Sequence, residues 1–168
     1  MKHDVLLLLT EQLRQHHYTV TCAESCTGGL LAAALTDYAG SSAWFNMGFT
    51  TYSNEAKQQL LGVSSDTLRD HGAVSAATVM EMATGALAAA QADFALSVSG
   101  IAGPGGGSEA KPVGTVWFGL AQACPAHQTL PSQARTHVFS GTRTQIRAQA
   151  VDFAIGWLLD TLNTMHNP

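Results

Sequence analysis

Residues 5–16 carry apolar side chains at 5, 6, 8, 9 and 13, a spacing that predicts an amphipathic helix. The run 18–23 (YTVTCA) is short and β-branched and predicts a buried strand. Residues 27–37 combine Gly-Gly, Leu-Leu and alanines at 32–34, predicting a helix that packs closely on a sheet. A second strand is expected over 45–52, then a helix capped by Asn54 that runs to Leu61 and stops at Gly62. The alanine-rich stretch 75–91 predicts a helix capped by Ser75. Strands follow at 94–99, 113–121 and 135–139. The last helix, 142–162, has apolar residues at 146, 150, 151, 154, 155, 158, 159 and 162.

The predicted order is therefore α-β-α-β-α-α-β-β-β-α. Strands alternating with helices early imply parallel pairing, and the hairpin-like strands late imply an antiparallel pair. The expected fold class is α/β: a layered α/β/α arrangement with a mixed, partly parallel sheet and helices on both faces. One domain is expected over 1–168. Sites on such sheets lie beyond the carboxyl ends of the strands.

Composition narrows the classes. The chain has 168 residues, 46% of them apolar and 12% charged, the latter about half the usual share of roughly 25%. That argues against disorder and for a surface partly covered by self-association, as a homodimer or a higher homo-oligomer. A formal net charge of −4 lacks the basic bias of a nucleic-acid binder, so no nucleic-acid partner is expected. The apolar run 5–9 is too short to span a membrane. It leads into Glu11 and Arg14 instead of a cleavage site, so a cytoplasmic protein with no membrane partner is expected. The cysteines, 22, 26 and 124, form no metal-ligand pattern, because no second pair follows the C-x3-C of Cys22 and Cys26. Reduced thiols, no metal and no cofactor are expected.

The segments after the strands carry the candidate chemistry. Ser25, Cys26, Thr27 and Gly28 stand at a strand-to-helix turn. There a hydroxyl can project beside free backbone N–H groups able to hold a phosphate or a developing oxyanion. The plainer alternative is that Ser25 or Thr27 is a helix N-cap. Tyr52 ends the second strand and Lys57 lies early in the following helix; Lys57 is either a solvated lysine or a general base whose pKa is lowered by burial. Lysine is rare here, at 2, 57 and 111 only, and none of the seven histidines (3, 16, 17, 71, 127, 137, 166) sits in a triad-like or H-E-x-x-H segment. The run 100–108 (GIAGPGGGS), with Gly103, Gly105 and Gly106, is either a ligand-cradling loop or a flexible connection; it lacks the Lys-Ser/Thr of a P-loop. Arg143 opens the last helix, where the dipole disfavours a cation unless an anion is near; otherwise it is a surface arginine.

Taken together, these segments resemble one family, the C-terminal domain of the competence/damage-inducible protein CinA, with its stand-alone amidohydrolase members. The resemblance rests on 21–29 (TCAESCTGG), 40–45 (GSSAWF), 51–57 (TYSNEAK), 71–75 (HGAVS), 97–107 (SVSGIAGPGGG), 111–118 (KPVGTVWF) and 139–143. It implies an amidase that hydrolyses nicotinamide mononucleotide to nicotinic acid mononucleotide and ammonia. By that likeness Ser25 is the nucleophile and Lys57 the general base. Tyr52 orients or relays the proton, and a small-molecule nucleotide is the partner. The N-terminal nucleotide-processing domain of longer CinA proteins is not expected here. Gly105 stands where many members have Asp or another polar residue, and Thr142 where many have Asp. The competing class is a non-catalytic nucleotide-binding module that keeps the glycine loop and Arg143 and leaves Ser25 as a cap.

Overall fold

The structure, a computed structural model, describes residues 3–124 and 130–166; Lys2 and His127, considered above, lie outside them. Helix α1 (His3–Gln15) leads into β1 (Val20–Glu24), the short α2 (Leu30–Leu35), a 3-10 turn (Ser41–Ala43) and β2 (Gly48–Thr50). Helices α3 (Asn54–Leu61), α4 (Ser65–His71) and α5 (Ala76–Ala90) follow. Then come β3 (Phe94–Gly100), β4 (Thr115–Gln122), β5 (Gln133–Val138) and α6 (Arg143–His166). The five strands form one sheet in the order β2-β1-β3-β4-β5. β1 pairs in parallel with β2 and β3, while β3–β4 and β4–β5 are antiparallel. This is the mixed α/β sheet that the strand–helix order predicts.

Side-chain alternation along the strands explains the two helix layers. One face presents Val20 and Cys22 of β1, Phe94, Leu96 and Val98 of β3, and Val116, Phe118 and Leu120 of β4. These large residues pack against α1, α2 and α6, whose Leu6, Leu9, Leu13, Leu31, Leu35, Ile146, Ile155 and Leu158 are buried. Each such side chain contributes roughly 1.5–3 kcal/mol relative to exposure. The centre of the opposite face is small, with Ala23, Ala95, Ser97, Gly119 and Ala121, while Phe49 of β2 and Trp117 of β4 flank it. It lets α5 approach closely, with the Ser97 hydroxyl donating to the Val79 carbonyl at 2.6 Å. A Cβ on Gly119 would meet that same carbonyl oxygen at 2.3 Å, so only glycine fits there.

All eight apolar positions read for the last helix are buried, and Trp157 joins them. In α1 the buried stripe is Leu6, Leu9 and Leu13, while Leu8 faces outward. Three local expectations need correction. The strand read over 45–52 is only Gly48–Thr50, because the chain before it turns at Ser41–Ala43 to bury Trp44. Ser53, not Asn54, caps α3, its hydroxyl accepting from the Ala56 N–H at 3.1 Å. Helix α4 was not anticipated: SDTLRDH has one apolar residue and hence no periodicity. It is held by the Ser64 cap and by Asp66 and Arg69 placed with the helix dipole.

Candidate active site

The site is assembled at the carboxyl end of the parallel half of the sheet. The Ser25 N–H donates to the Val98 carbonyl at 2.9 Å, which extends the β1–β3 ladder by one bond and fixes Ser25 at the end of β1. Its side chain is half-buried and so remains within reach of a ligand. On the other side of β1, the Thr51 N–H donates to the Glu24 carbonyl at 2.8 Å, which anchors the end of β2. The chain then turns through Tyr52 and the Ser53 cap into α3, with Lys57 in its first turns. Helical side chains lean towards the N-terminus, so Lys57 points back across that turn. Its Nζ lies 3.2 Å from Ser25 Oγ and 2.9 Å from the Thr51 carbonyl, with the Tyr52 and Ser53 carbonyls at 3.4 and 3.5 Å.

Lys57 is 1% exposed. Among the described residues it has no carboxylate at ion-pair distance, only neutral oxygens. Burial therefore pushes its pKa below the ordinary lysine value, opposed weakly by Cys26 and Glu55. The solvated-lysine alternative does not hold.

The N-cap alternative for Ser25 does not hold either. The helix expected from residue 27 starts at Leu30, and neither Ser25 nor Thr27 caps it. Glu24 does so from the strand. Its carboxylate, on a residue 1% exposed, accepts from the N–H groups of Gly29 and Leu31 at 3.0 Å and of Ala32 at 2.8 Å. The turn between is tight: the Gly28 N–H donates to the Ser25 carbonyl at 3.1 Å. Among the described residues, the N–H groups of Cys26 and Thr27 are left without a hydrogen-bond partner. The arrangement supplies a hydroxyl, an adjacent amine and two unpaired backbone donors within one turn.

Arg143 bridges the other candidate segments. Its Nη1 donates to the Gly103 carbonyl at 2.8 Å and its Nη2 to the Tyr52 hydroxyl at 3.1 Å. Tyr52 is 61% exposed, and its backbone carbonyl is the group it presents to Lys57. Gly103 is buried, whereas Gly105 and Gly106 are exposed along the loop. Lys111 pins that loop by donating to the Val74 carbonyl at 2.7 Å and the His71 carbonyl at 3.3 Å. Two concavities, of about 810 and 480 Å³, contain neither Ser25 nor Lys57; the first lies around Tyr18, Asp93 and Gln122 at the opposite end of the strands. Chemistry, not volume, locates the site. Among the described residues no group of three or more His, Cys, Asp or Glu could hold a metal ion. Burial raises the Cys26 thiol to about 11, which keeps it protonated beside Ser25.

The pattern for the CinA C-terminal domain matches residues 3–162. The chain belongs to the CinA C-terminal domain family. It is 55% identical over 159 residues to the nicotinamide-nucleotide amidohydrolase PncC of Escherichia coli K12, covering 92% of this chain and 93% of that one. A CinA-like protein of Geobacter sulfurreducens is 48% identical over 151 residues, and there the match spans 35% of the relative's length. The crystal structure of a CinA superfamily protein from Klebsiella pneumoniae 700603 superposes with a TM-score of 0.88 at 41% identity, over 96% of this chain and 98% of that one.

Two site residues of this CinA domain escaped the sequence reading. Glu24 reads as the last residue of a strand, and nothing in its spacing marks a carboxylate that turns onto the next helix. Arg147 reads as a polar position on α6, yet its Nε donates to the Cys26 carbonyl at 3.1 Å and its Nη2 to the Thr27 carbonyl at 2.8 Å. The available signal was spacing: Arg143 and Arg147 lie four apart and so share one helix face.

Proposed function

We propose that this chain is a nicotinamide mononucleotide amidohydrolase working through Ser25 and Lys57. The observation that carries the reading is the 3.2 Å approach of a buried lysine amine to a serine hydroxyl at the end of a strand. The relatives named as nicotinamide-nucleotide amidohydrolases support the choice of substrate.

A neutral amine has two N–H donors and one lone pair. The Thr51 and Tyr52 carbonyls lie at 2.9 and 3.4 Å to take the donors, which turns the lone pair towards Ser25 Oγ. Ser25 attacks the carboxamide carbon and its proton passes to Lys57. The carbonyl oxygen becomes an oxyanion that the backbone N–H of Cys26, left unpaired in the turn after Ser25, can hold. Collapse breaks the C–N bond, and Lys57 returns the proton to the departing nitrogen, releasing ammonia. A water, deprotonated by the same amine, cleaves the acyl-Ser25 ester to give the nicotinate product. In this reading Gly103, Gly105, Gly106 and Arg143 receive the nucleotide, while Gly28 supports the turn because its N–H is already bonded.

Ammonia release from nicotinamide mononucleotide by wild type and by Ser25→Ala tests the reading. Turnover by wild type that disappears in the variant supports it. Binding of the mononucleotide without any ammonia would favour the non-catalytic module.

A further inference from the structure

Among the described residues, two glycines stand inside helices, Gly85 in α5 and Gly156 in α6. Glycine weakens a helix interior relative to alanine, so each position calls for a reason. A Cβ on Gly156 would meet nothing within 4 Å. A Cβ on Gly85 would overlap the Leu61 carbonyl oxygen and lie 2.7 and 2.9 Å from the Leu61 carbonyl carbon and Cα. Leu61 is the last residue of α3. The end of α3 therefore rests backbone to backbone on α5, and only glycine allows that depth.

This seat bears on the site because of where Lys57 stands. Lys57 and Leu61 are four apart, share one face of α3, and are the buried residues of that helix. The Gly62 N–H donates to the Gln58 carbonyl at 3.0 Å and the Val63 N–H to the Lys57 carbonyl at 3.2 Å. These bonds close the end of α3 into one turn that includes Lys57. Leu61 and Val63 then anchor the turn in the apolar cluster that holds Ala83, Ala86 and Leu87 of α5. Lys57 thus moves with Leu61. Ser25 does not, because β1 and β3 carry it, and α5 is tied to β3 separately by the bond from Ser97 to the Val79 carbonyl at 2.6 Å. A methyl group at residue 85 would push the Leu61 carbonyl away by about 1 Å or more. The cavity of about 480 Å³ beside Leu61, Gly62 and Gly85 leaves α3 room to shift without unfolding.

We propose that Gly85 is a positioning residue: it sets the depth at which α3 seats on α5, and through that the distance between Lys57 Nζ and Ser25 Oγ. This rests on the amidohydrolase reading above. A displacement of about 1 Å at a reacting group lowers the rate by about 10²-fold. The groups assigned to the nucleotide lie on other elements, so the loss falls on kcat and not on KM.

The experiment measures kcat, KM and the pH profile of kcat/KM for nicotinamide mononucleotide in wild type, Gly85→Ala and Gly156→Ala, with melting temperatures alongside. In Gly85→Ala, kcat is expected to fall about 10²-fold with KM little changed. The midpoint of the profile should also rise towards the ordinary lysine value, because an amine drawn from its pocket regains water. The titratable groups acting on Lys57 are Cys26 and Glu55, and neither is on α5. The charged residue of α5, Glu81, is bonded to the Ser64 N–H and the Thr67 hydroxyl. A midpoint shift in Gly85→Ala therefore reports the seating of Lys57 itself. Gly156→Ala should keep the wild-type kcat and midpoint.

A purely structural role would lower the melting temperature and leave kcat and the midpoint of the folded protein unchanged, and that result overturns the proposal. So does a raised KM at wild-type kcat, since the loss would then lie in substrate binding. If Gly85→Ala does not fold, Val63→Ala decides, because it loosens the same end of α3 on α5 and leaves every site residue in place. A lowered kcat with a raised midpoint in Val63→Ala supports the proposal, and wild-type values overturn it. A wild-type protein that releases no ammonia removes the amidohydrolase reading and this proposal with it, whereas an active wild type beside an unaffected Gly85→Ala removes this proposal alone.

Discussion

Lys57 Nζ and Ser25 Oγ stand 3.2 Å apart although 32 residues separate them in the chain. Two backbone ladders create this meeting. β1 and β2 run in parallel with Glu24 beside Thr50, so both strands end at the same level and release the chain in the same direction. Ser25 is the first residue past one end, and Lys57 returns from the helix that follows the other. Among the described residues no carboxylate lies at ion-pair distance from this buried amine, and that shapes the first expectation.

Activity should rise with pH through the titration of Lys57. Its pKa is lowered by burial, so the midpoint in kcat/KM falls below the ordinary lysine value of about 10.4. Below that midpoint the group is an ammonium without a lone pair; above it the amine can accept the Ser25 proton. Stability moves the same way. Between the lowered folded value and about 10.4 the unfolded chain binds more protons, so stability increases with pH across that window. Lys57→Arg should lose about 10²–10⁴-fold in kcat, since guanidinium stays protonated. A pH–rate profile of wild type beside Lys57→Arg checks this; an active arginine variant would remove Lys57 from the mechanism.

Ser25→Ala should lower turnover by a factor on the order of 10⁶ while leaving the fold intact. No described residue depends on the Ser25 hydroxyl except Lys57, and the Ser25 N–H and C=O bonds that set the turn are made by its backbone. A melting curve close to wild type together with loss of ammonia release is the expected pair of results. Retention of a sizeable fraction of the activity would show that another group attacks.

How far the sequence led depended on whether a signal was periodic or local. The eight apolar positions of α6 were legible because helical spacing repeats over many turns. Ser25 and Lys57 were legible as residues following strands, but their contact was not, because nothing local states that β1 and β2 end side by side. The start of α2 was misplaced because its cap comes from Glu24, a strand residue, instead of from the serine or threonine that usually signals a helix start. Arg147 was missed because its partners are backbone carbonyls 120 and 121 residues away. Carbonyls have no sequence identity, so such a contact leaves no pattern to read.

Arg143→Ala should weaken the mononucleotide more than the riboside, which lacks the phosphate. Arg143 sits at the first residue of α6, where the helix dipole already favours an anion, and it joins the Gly103 carbonyl to the Tyr52 hydroxyl. A charge-assisted bond to phosphate contributes about 1.5–3 kcal/mol, so the ratio of KM values for the two substrates should shift by at least tenfold. Equal losses for both substrates would show that Arg143 only braces the glycine loop against Tyr52.

Glu24→Gln should destabilise the fold, and through the turn it should also reduce activity. The carboxylate has two oxygens and accepts from three N–H groups, those of Gly29, Leu31 and Ala32, at the start of α2. Glutamine keeps one acceptor oxygen and replaces the other with an NH₂ that faces backbone donors, leaving at least one of them unpaired in a buried position. Removing a charged hydrogen-bond partner costs about 1.5–3 kcal/mol. In a domain of this size each kcal/mol moves the melting temperature by about 2–4 °C. A fall of several degrees is expected, larger for Glu24→Ala than for the isosteric glutamine, because alanine also leaves a cavity. Thermal unfolding of the two variants beside wild type measures it. Because α2 starts only five residues after Ser25, loosening its cap also frees the Cys26 and Thr27 N–H groups to wander. Activity in Glu24→Gln should therefore drop even at temperatures where the variant is fully folded. An unchanged melting temperature would mean that water replaces the carboxylate at the helix start, and that Glu24 does not hold the turn.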